Sequence, residues 1–407
     1  MLNQPNARQG FLDQLQHLKM YLWDMLFKNV LGLEHIKNHL VTTAETGRVA
    51  HAQLFVGPEG SGVLPMAIAY AQYLLCGNTG GENDGENTVC NTKCNSLTHP
   101  DLHFAFPVSN SDKVKSHAVS DHYLEEWRQF VKEQPYGNLF DWYRHIGIEK
   151  KQGQIGVDEA QDMVKKLSLK SYEGGYKVLI VWMAEKMNIS AANKLLKLIE
   201  EPPNKTILLL LAEEEEQIIN TIRSRCQILN FPPLAEQVIT DELLLKGVPQ
   251  TEALTIALEA NGNFNKALDL LNKDSEDLVF ERWFVQWVRS AFKAKGNKGA
   301  VQELILWSEE VAKTGREVQK KFLNYCLTMM RQALLLNYKA NELVHVKVHM
   351  EGFDLRKFAP FVHENNILDI VQELEQAIFH VERNGNSKLI FTDLSIKLTR
   401  LLHAKAA

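Results

Sequence analysis

The chain has 407 residues, 45% of them apolar and 23% charged, with a formal net charge of −5. That length supports two or three domains and a sizeable core. The acidic balance excludes a protein that grips nucleic acid mainly through excess positive charge, while leaving room for a local basic patch.

Residues 1–25 form an N-terminal extension. Phe11, Leu15, Leu18, Leu22 and Leu26 could share one helical face. A mis-called start, with Met20 or Met25 as the true beginning, is the alternative, and no function is assigned to the segment. From residue 26 to 56 the pattern predicts a helix and then a strand: Ile36, Leu40 and Ala44 fall at helical spacing, and Gln53 to Val56 is a short apolar run ending at Gly57. A helical pattern resumes at Met66 and ends near Cys76. Residues 77–89, rich in Gly, Asn and Glu, read as a loop. Residues 101–154 are irregular but dense in aromatics, among them Phe104, Phe106, Trp127, Tyr136 and Trp142, which implies local packing. An amphipathic stretch covers Gln161 to Leu169.

Next comes the most regular part. Lys177 to Val181 reads as a buried strand. Asn188 or Ser190 can cap a helix that runs to Glu201 and is stopped by Pro202-Pro203. Ile207 to Leu211 reads as another strand, Ile218 to Ile222 as a short helix, and Gln227 to Phe231 as a final strand. Strands alternating with helices imply a parallel sheet covered on both faces. After residue 234 strand signals fade. Stripes at Phe322, Tyr325, Cys326, Met329 and Ala333, at Ile367, Ile370, Val371, Leu374 and Ile378, and at Leu394, Leu398 and Leu401 imply a helical bundle. The longest apolar runs, such as Val178 to Met183 and Ile207 to Ala212, are too short to span a bilayer. Five cysteines, an odd number, with no secretory leader ahead of them, point to free thiols in a reducing cytoplasm.

Three motifs bear on chemistry. Gly57-Pro58-Glu59-Gly60-Ser61-Gly62-Val63-Leu64 has the glycine spacing of a phosphate-binding loop between a strand and a helix. Such a loop needs a lysine for the β/γ-phosphates and a hydroxyl for magnesium. Val63 and Leu64 stand at those two places and can do neither job, and Pro65 at the helix start donates no N–H. A working site also needs an acidic pair at the end of a neighbouring strand. After Lys177 to Val181 those positions hold Trp182 and Met183, and the downstream Glu185 reads as a solvated or capping residue. Two defects in one site imply a fold retained without its catalysis. The third motif is intact: Ser224-Arg225-Cys226 lies just ahead of Asn230-Phe231-Pro232-Pro233-Leu234. An arginine at a domain edge can stabilise phosphoryl charge in a neighbour's site, and on chemistry alone it can equally be a surface ion pair. The Glu213 to Glu216 run reads as a solvated loop or helix start. No H-E-x-x-H spacing and no G-x-S-x-G elbow is present.

The run from Val178 to Leu234, with MNISAANKLLKLIEEPPNKTILLLLA and TIRSRCQILNFPPL, resembles the delta-prime family of bacterial DNA polymerase III subunits, in the clamp-loader branch of the AAA+ ATPases. Phe27 to Gly32, His51-Ala52 and Thr98-His99-Pro100-Asp101 fit the same family. The resemblance covers about residues 26–270, and the remainder by architecture only. It implies an α/β P-loop AAA+ domain with a parallel sheet over 26–234, a small helical lid over 235–275 and an all-α collar, the oligomerisation domain, over 276–407. Within the first domain it implies a cysteine knuckle at about 76–99 and an insertion at about 104–150.

The resemblance implies a non-hydrolysing clamp-loader subunit acting in DNA replication. Such a subunit is a component of the DNA-directed DNA polymerase III holoenzyme rather than an enzyme on its own. It helps load a sliding clamp on primed DNA and lends Arg225 in trans to a neighbouring ATPase subunit. Its partners would be the motor ATPase and clamp-opening subunits, with the clamp and DNA reached through the complex, and no membrane. No nucleotide cofactor of its own is expected. The family often binds structural zinc through four cysteines. Here Cys76, Cys90 and Cys94 are three, with His99 as the candidate fourth ligand, and a metal-free knuckle is the alternative. Asn261 to Leu268 resembles the family's nucleotide-sensing turn without its arginine. Either Lys266 substitutes, or the turn is structural only. Two other functions compete with this reading: an active ATPase with an atypical site, and a zinc-dependent nucleic-acid-binding module centred on Cys76 to His99.

Overall fold

The computed structural model describes residues 26–77, 88–272, 276–344, 348, 350 and 352–404. The extension at 1–25 and most of the Gly-rich loop lie outside the described residues. The chain falls into two compact units, one holding residues up to 148 and 153–268, the other 149–152 and 269 onward.

In the first unit, helix α1 (Glu34–Glu45) buries Ile36 and Leu40 and leads to strand β1 (Ala52–Val56). The loop at Gly57 to Gly62 opens helix α2 (Val63–Cys76), which is buried along nearly its whole length. Short helix α3 (Thr88–Asn95) then precedes β2 (Leu102–Ala105). Helices α4 (Leu124–Glu133), α5 (Leu139–His145) and α6 (Val157–Ser168) precede β3 (Lys177–Val181). Then follow α7 (Ile189–Glu200), β4 (Thr206–Ala212), a four-residue α8 (Asn220–Arg223) and β5 (Gln227–Asn230). Helices α9 (Glu236–Leu245), α10 (Gln250–Ala260) and α11 (Phe264–Asn272) end the series.

The five strands make one all-parallel sheet in the order β2-β3-β4-β1-β5. Central β4 is buried over all seven residues, and β3 over all five. This is why both read as unbroken apolar runs rather than as alternating ones. Leu54 sits opposite Leu210 on one side and Ile228 on the other, so β1 is flanked on both edges. The loop after β1 therefore emerges at the carboxyl end of a central strand, the place where open α/β sheets present ligand sites. Asn188 does cap α7, its side chain accepting from the Ala191 N–H.

Strand β2 was not legible in the irregular stretch 101–154. It has only four residues and sits at the sheet edge, paired with β3 alone. The aromatics that follow it do pack locally. Trp127 stacks on Phe106 at 4.3 Å between centroids and meets Trp142 edge-on at 5.3 Å. All three rings are fully buried.

The second unit is helical: α12 (Glu276–Lys293), α13 (Lys298–Ala312), α14 (Arg316–Asn337), α15 (Leu355–Phe358), α16 (Glu364–Glu382) and α17 (Ser387–Leu401). Its core joins Trp287, Trp307, Phe322, Met329, Ile370, Leu374, Leu394 and Leu398. Trp287 and Trp307 stack at 5.3 Å, and the Trp287 indole N–H donates to Ser395 Oγ at 2.9 Å. Among the described residues, no helix is long and apolar enough to cross a membrane.

Candidate functional site

The loop between β1 and α2 keeps the backbone shape its glycines allow. Gly60 and Gly62 have φ of +70° and +93°, in the region that side chains avoid. A Cβ on Gly60 would lie 2.0 Å from Asn263 Oδ1. A phosphate cradle needs free N–H groups aimed inward, yet the Ser61 N–H is turned onto Pro58 O at 3.1 Å.

The cavity beside the loop is lined by Val63, Leu64, Tyr136, Trp182, Met183 and Glu213, among others. It is a cleft open to solvent on one side, with about 400 Å³ of empty space, the solvent-facing part included. Trp182 packs toward the aromatic segment, 5.2 Å from Trp127. Thus the two positions of the expected acidic pair carry side chains that fill space.

Tyr136, from the aromatic segment, forms one wall of the cavity. Its hydroxyl accepts the Leu31 N–H at 2.9 Å, and its ring meets Phe264 edge-on at 5.1 Å. Phe264 in turn donates its N–H to Gly60 O at 3.2 Å. Polar links run alongside. Glu59 accepts from Asn138 Nδ2 at 3.0 Å and from Asn263 Nδ2 at 3.2 Å. Asp141 accepts from Asn138 N at 3.0 Å and from Asn265 Nδ2 at 2.9 Å. The phosphate-type loop, the aromatic segment and the turn at 261–265 are therefore tied together through paired hydrogen bonds. Lys266 is absent from the cavity wall, and the turn engages the loop through Asn263 and Phe264 instead. Tyr136 was legible only as a packing aromatic and Asn263 only as part of the turn at 261–268, while Asn138 carries no motif and was missed.

Two carboxylates depart from their expected place in solvent. Glu213, immediately after β4, turns into the cavity wall. Burial, reinforced by Glu59 and Glu185, pushes its carboxyl up to about 8. Glu185 is enclosed and accepts the Glu213 N–H at 3.2 Å; burial raises its pKa too. The cavity thus presents carboxyl groups where a triphosphate would need cations.

Arg225 lies on the turn between α8 and β5. Ile222, fully buried, and Cys226, packed on the sheet core, anchor the turn on either side. Burial pushes the Cys226 thiol up to about 11, so it is a packing group rather than a nucleophile. Arg225 Nε donates to Glu200 Oε1 at 2.7 Å and Nη1 to Thr221 O at 3.0 Å. Both side chains of the ion pair are exposed, at 41% and 48%.

The cysteine knuckle holds a correction. Cys76 and Cys90 are paired as a disulfide, not free as expected. The end of α2 and the first turns of α3 bring their Cα atoms to 5.6 Å, within bridging range. Cys94, one helical turn beyond Cys90, puts its Sγ 3.6 Å from Cys76 Sγ. Burial holds its thiol near 12. The three sulfurs lie within 4.8 Å of one another, and Cys90, His99 and Glu173 form an overlapping cluster of the same span. His99 is buried; its Nδ1 accepts the Asp101 N–H at 3.2 Å, and Nε2 faces Glu173 Oε2 at 3.2 Å. Tetrahedral zinc bonded at about 2.3 Å sets its sulfurs about 3.8 Å apart. With the disulfide reduced, Cys76, Cys90 and Cys94 can offer that ion three sulfurs, while His99 groups with Cys90 and Glu173 rather than with all three. Glu173, distant in sequence, was not foreseen.

Comparison with known proteins adds the following. A family model described as DNA polymerase III, delta subunit, matches residues 32–235. The delta-prime subunit of DNA polymerase III from Bacillus subtilis (strain 168) is 30% identical over 235 residues, which is 58% of this chain and 58% of that protein. The same subunit of Escherichia coli (strain K12) is 25% identical over 364 residues, 89% of this chain and 93% of that one. A gamma-subunit-related protein of DNA polymerase III from Thermotoga maritima superposes with a TM-score of 0.33 at 15% identity, covering 89% of this chain and 99% of that one.

Proposed function

The chain belongs to the DNA polymerase III delta-subunit family, in its delta-prime branch, and from that premise we propose that it is a clamp-loader subunit that does not itself hydrolyse ATP. The observation that carries this reading is the lining of the cavity. Val63, Leu64, Trp182 and Met183 offer neither a cation to a triphosphate nor a carboxylate to its metal. Lining the cavity with Tyr136 and bracing the turn at 261–265 against it favours a subunit with one fixed shape.

In this reading the chain works for its neighbours. It joins a motor ATPase and a clamp-opening subunit in a ring that places a sliding clamp on primed DNA. Arg225, carried on a firmly anchored turn, supplies positive charge to the γ-phosphate bound by the adjacent motor. Arginines in that role contribute about 10³- to 10⁵-fold to kcat. The assembled ring carrying Arg225→Ala should therefore lose most of its ATPase rate. A wild-type rate in that ring defeats the proposal.

We also propose that reduced Cys76, Cys90 and Cys94 hold a structural zinc. The ion would tie α2 to α3. Protein purified under reducing conditions should carry about one equivalent of zinc, and Cys94→Ala should lose it. Metal-free, folded wild-type protein would defeat this assignment.

A further inference from the structure

The turn from Asn220 to Cys226 carries two arginines, and the chain treats them differently. Arg223 is held along one edge of its guanidinium: Nε faces Glu215 Oε1 at 3.7 Å, and Nη2 donates to Asn220 Oδ1 at 3.2 Å. Arg225 is held on both flanks of its guanidinium instead. Nε donates to Glu200 Oε1 at 2.7 Å, and Nη1 to Thr221 O at 3.0 Å and Ser224 Oγ at 3.5 Å. Among the described residues Nη2 has no hydrogen-bond partner.

We propose that Glu200 is a positioning residue for Arg225, an inference that rests on the reading of Arg225 as a group acting in trans. A guanidinium is a rigid plane with five N–H donors, so fixing Nε and Nη1 fixes where Nη2 points. Glu200 closes α7, which packs Leu195, Leu198 and Ile199 into the sheet core, so its carboxylate is presented from a rigid element. Pro202 and Pro203 end the helix just beyond it. The partner carbonyl of Thr221 comes from α8, anchored by buried Ile222. Two independent elements therefore grip Arg225 from opposite flanks, through Nε and Nη1, and leave Nη2 for an incoming phosphate. The pair is exposed, and exposed pairs contribute little to folding. Its value lies in orientation, since an unrestrained arginine must be ordered at the moment of catalysis.

The test is the steady-state ATPase of the assembled ring against ATP concentration, with this subunit wild type or substituted. Glu200→Ala should lower kcat by about ten- to a hundredfold while KM for ATP moves less than about twofold. Glu200→Gln, which keeps an acceptor oxygen, should restore most of the rate. Glu200→Ala combined with Arg225→Ala should be no slower than Arg225→Ala alone, because both act through one guanidinium. A wild-type kcat for Glu200→Ala beside a slow Arg225→Ala overturns the positioning role and leaves the trans role standing. A double variant slower than Arg225→Ala by the full factor of the Glu200 change also overturns it. A wild-type rate for Arg225→Ala removes the premise, and both readings fall.

Discussion

At the scale of single residues, the telling feature is how charge is distributed around the cavity beside the glycine loop. A carboxyl held at about 8 beside two other carboxylates is protonated at neutral pH, and it leaves the wall without a single cation for phosphate. The folded state keeps the Glu213 proton that the unfolded chain releases near its ordinary value of 4.5. Stability is therefore lost as pH rises from about 4.5 through about 8. Glu213→Gln removes that dependence. At pH 8.5 it should stabilise the protein by roughly 1–3 kcal/mol, against little change at pH 4, read from denaturant midpoints at both values. An equal gain at both pH values would show that the carboxyl titrates normally. Arg225 belongs to the same scale: its motif was readable, but its Glu200 partner was not, because 25 residues separate the two along the chain.

At the scale of elements, the aromatic segment between β2 and α6 is what packs against the glycine loop and the turn at 261–265. Its aromatics could be seen in the sequence as a packing cluster. That one of them, Tyr136, would line the cavity could not be seen, since nothing about a lone tyrosine distinguishes a site wall from core. Tyr136→Phe leaves the partly buried Leu31 N–H without its acceptor, worth about 1 kcal/mol. Tyr136→Ala also removes the ring from Phe264 and should cost about 3–5 kcal/mol, measured by chemical denaturation. Neither substitution should create ATP binding, because Val63 and Leu64 remain. The knuckle shows the same limit. Cys76, Cys90, Cys94 and His99 could be picked out by residue type, whereas the Cys76–Cys90 pairing and the approach of Glu173 depend on how α3 folds back beside α2 and on the loop before β3.

At the scale of the whole molecule, the two units have separate cores, one built on a parallel sheet and one on stacked tryptophans among helices. The alternation of strand and helix, the change to helix alone after residue 234, and the apolar residues Val63, Leu64, Trp182 and Met183 beside the glycine loop were determined by sequence. Each is a local pattern set by side chains a few residues apart. Tertiary structure alone decided the edge strand β2, the inward turn of Glu185 and Glu213, the bracing of Gly60 by Asn263 and Phe264, and the hold of Glu200 on Arg225. Those features join residues from distant parts of the chain. Their partners are chosen by where the sheet and its covering helices place them, and periodicity along the chain carries no record of that placement.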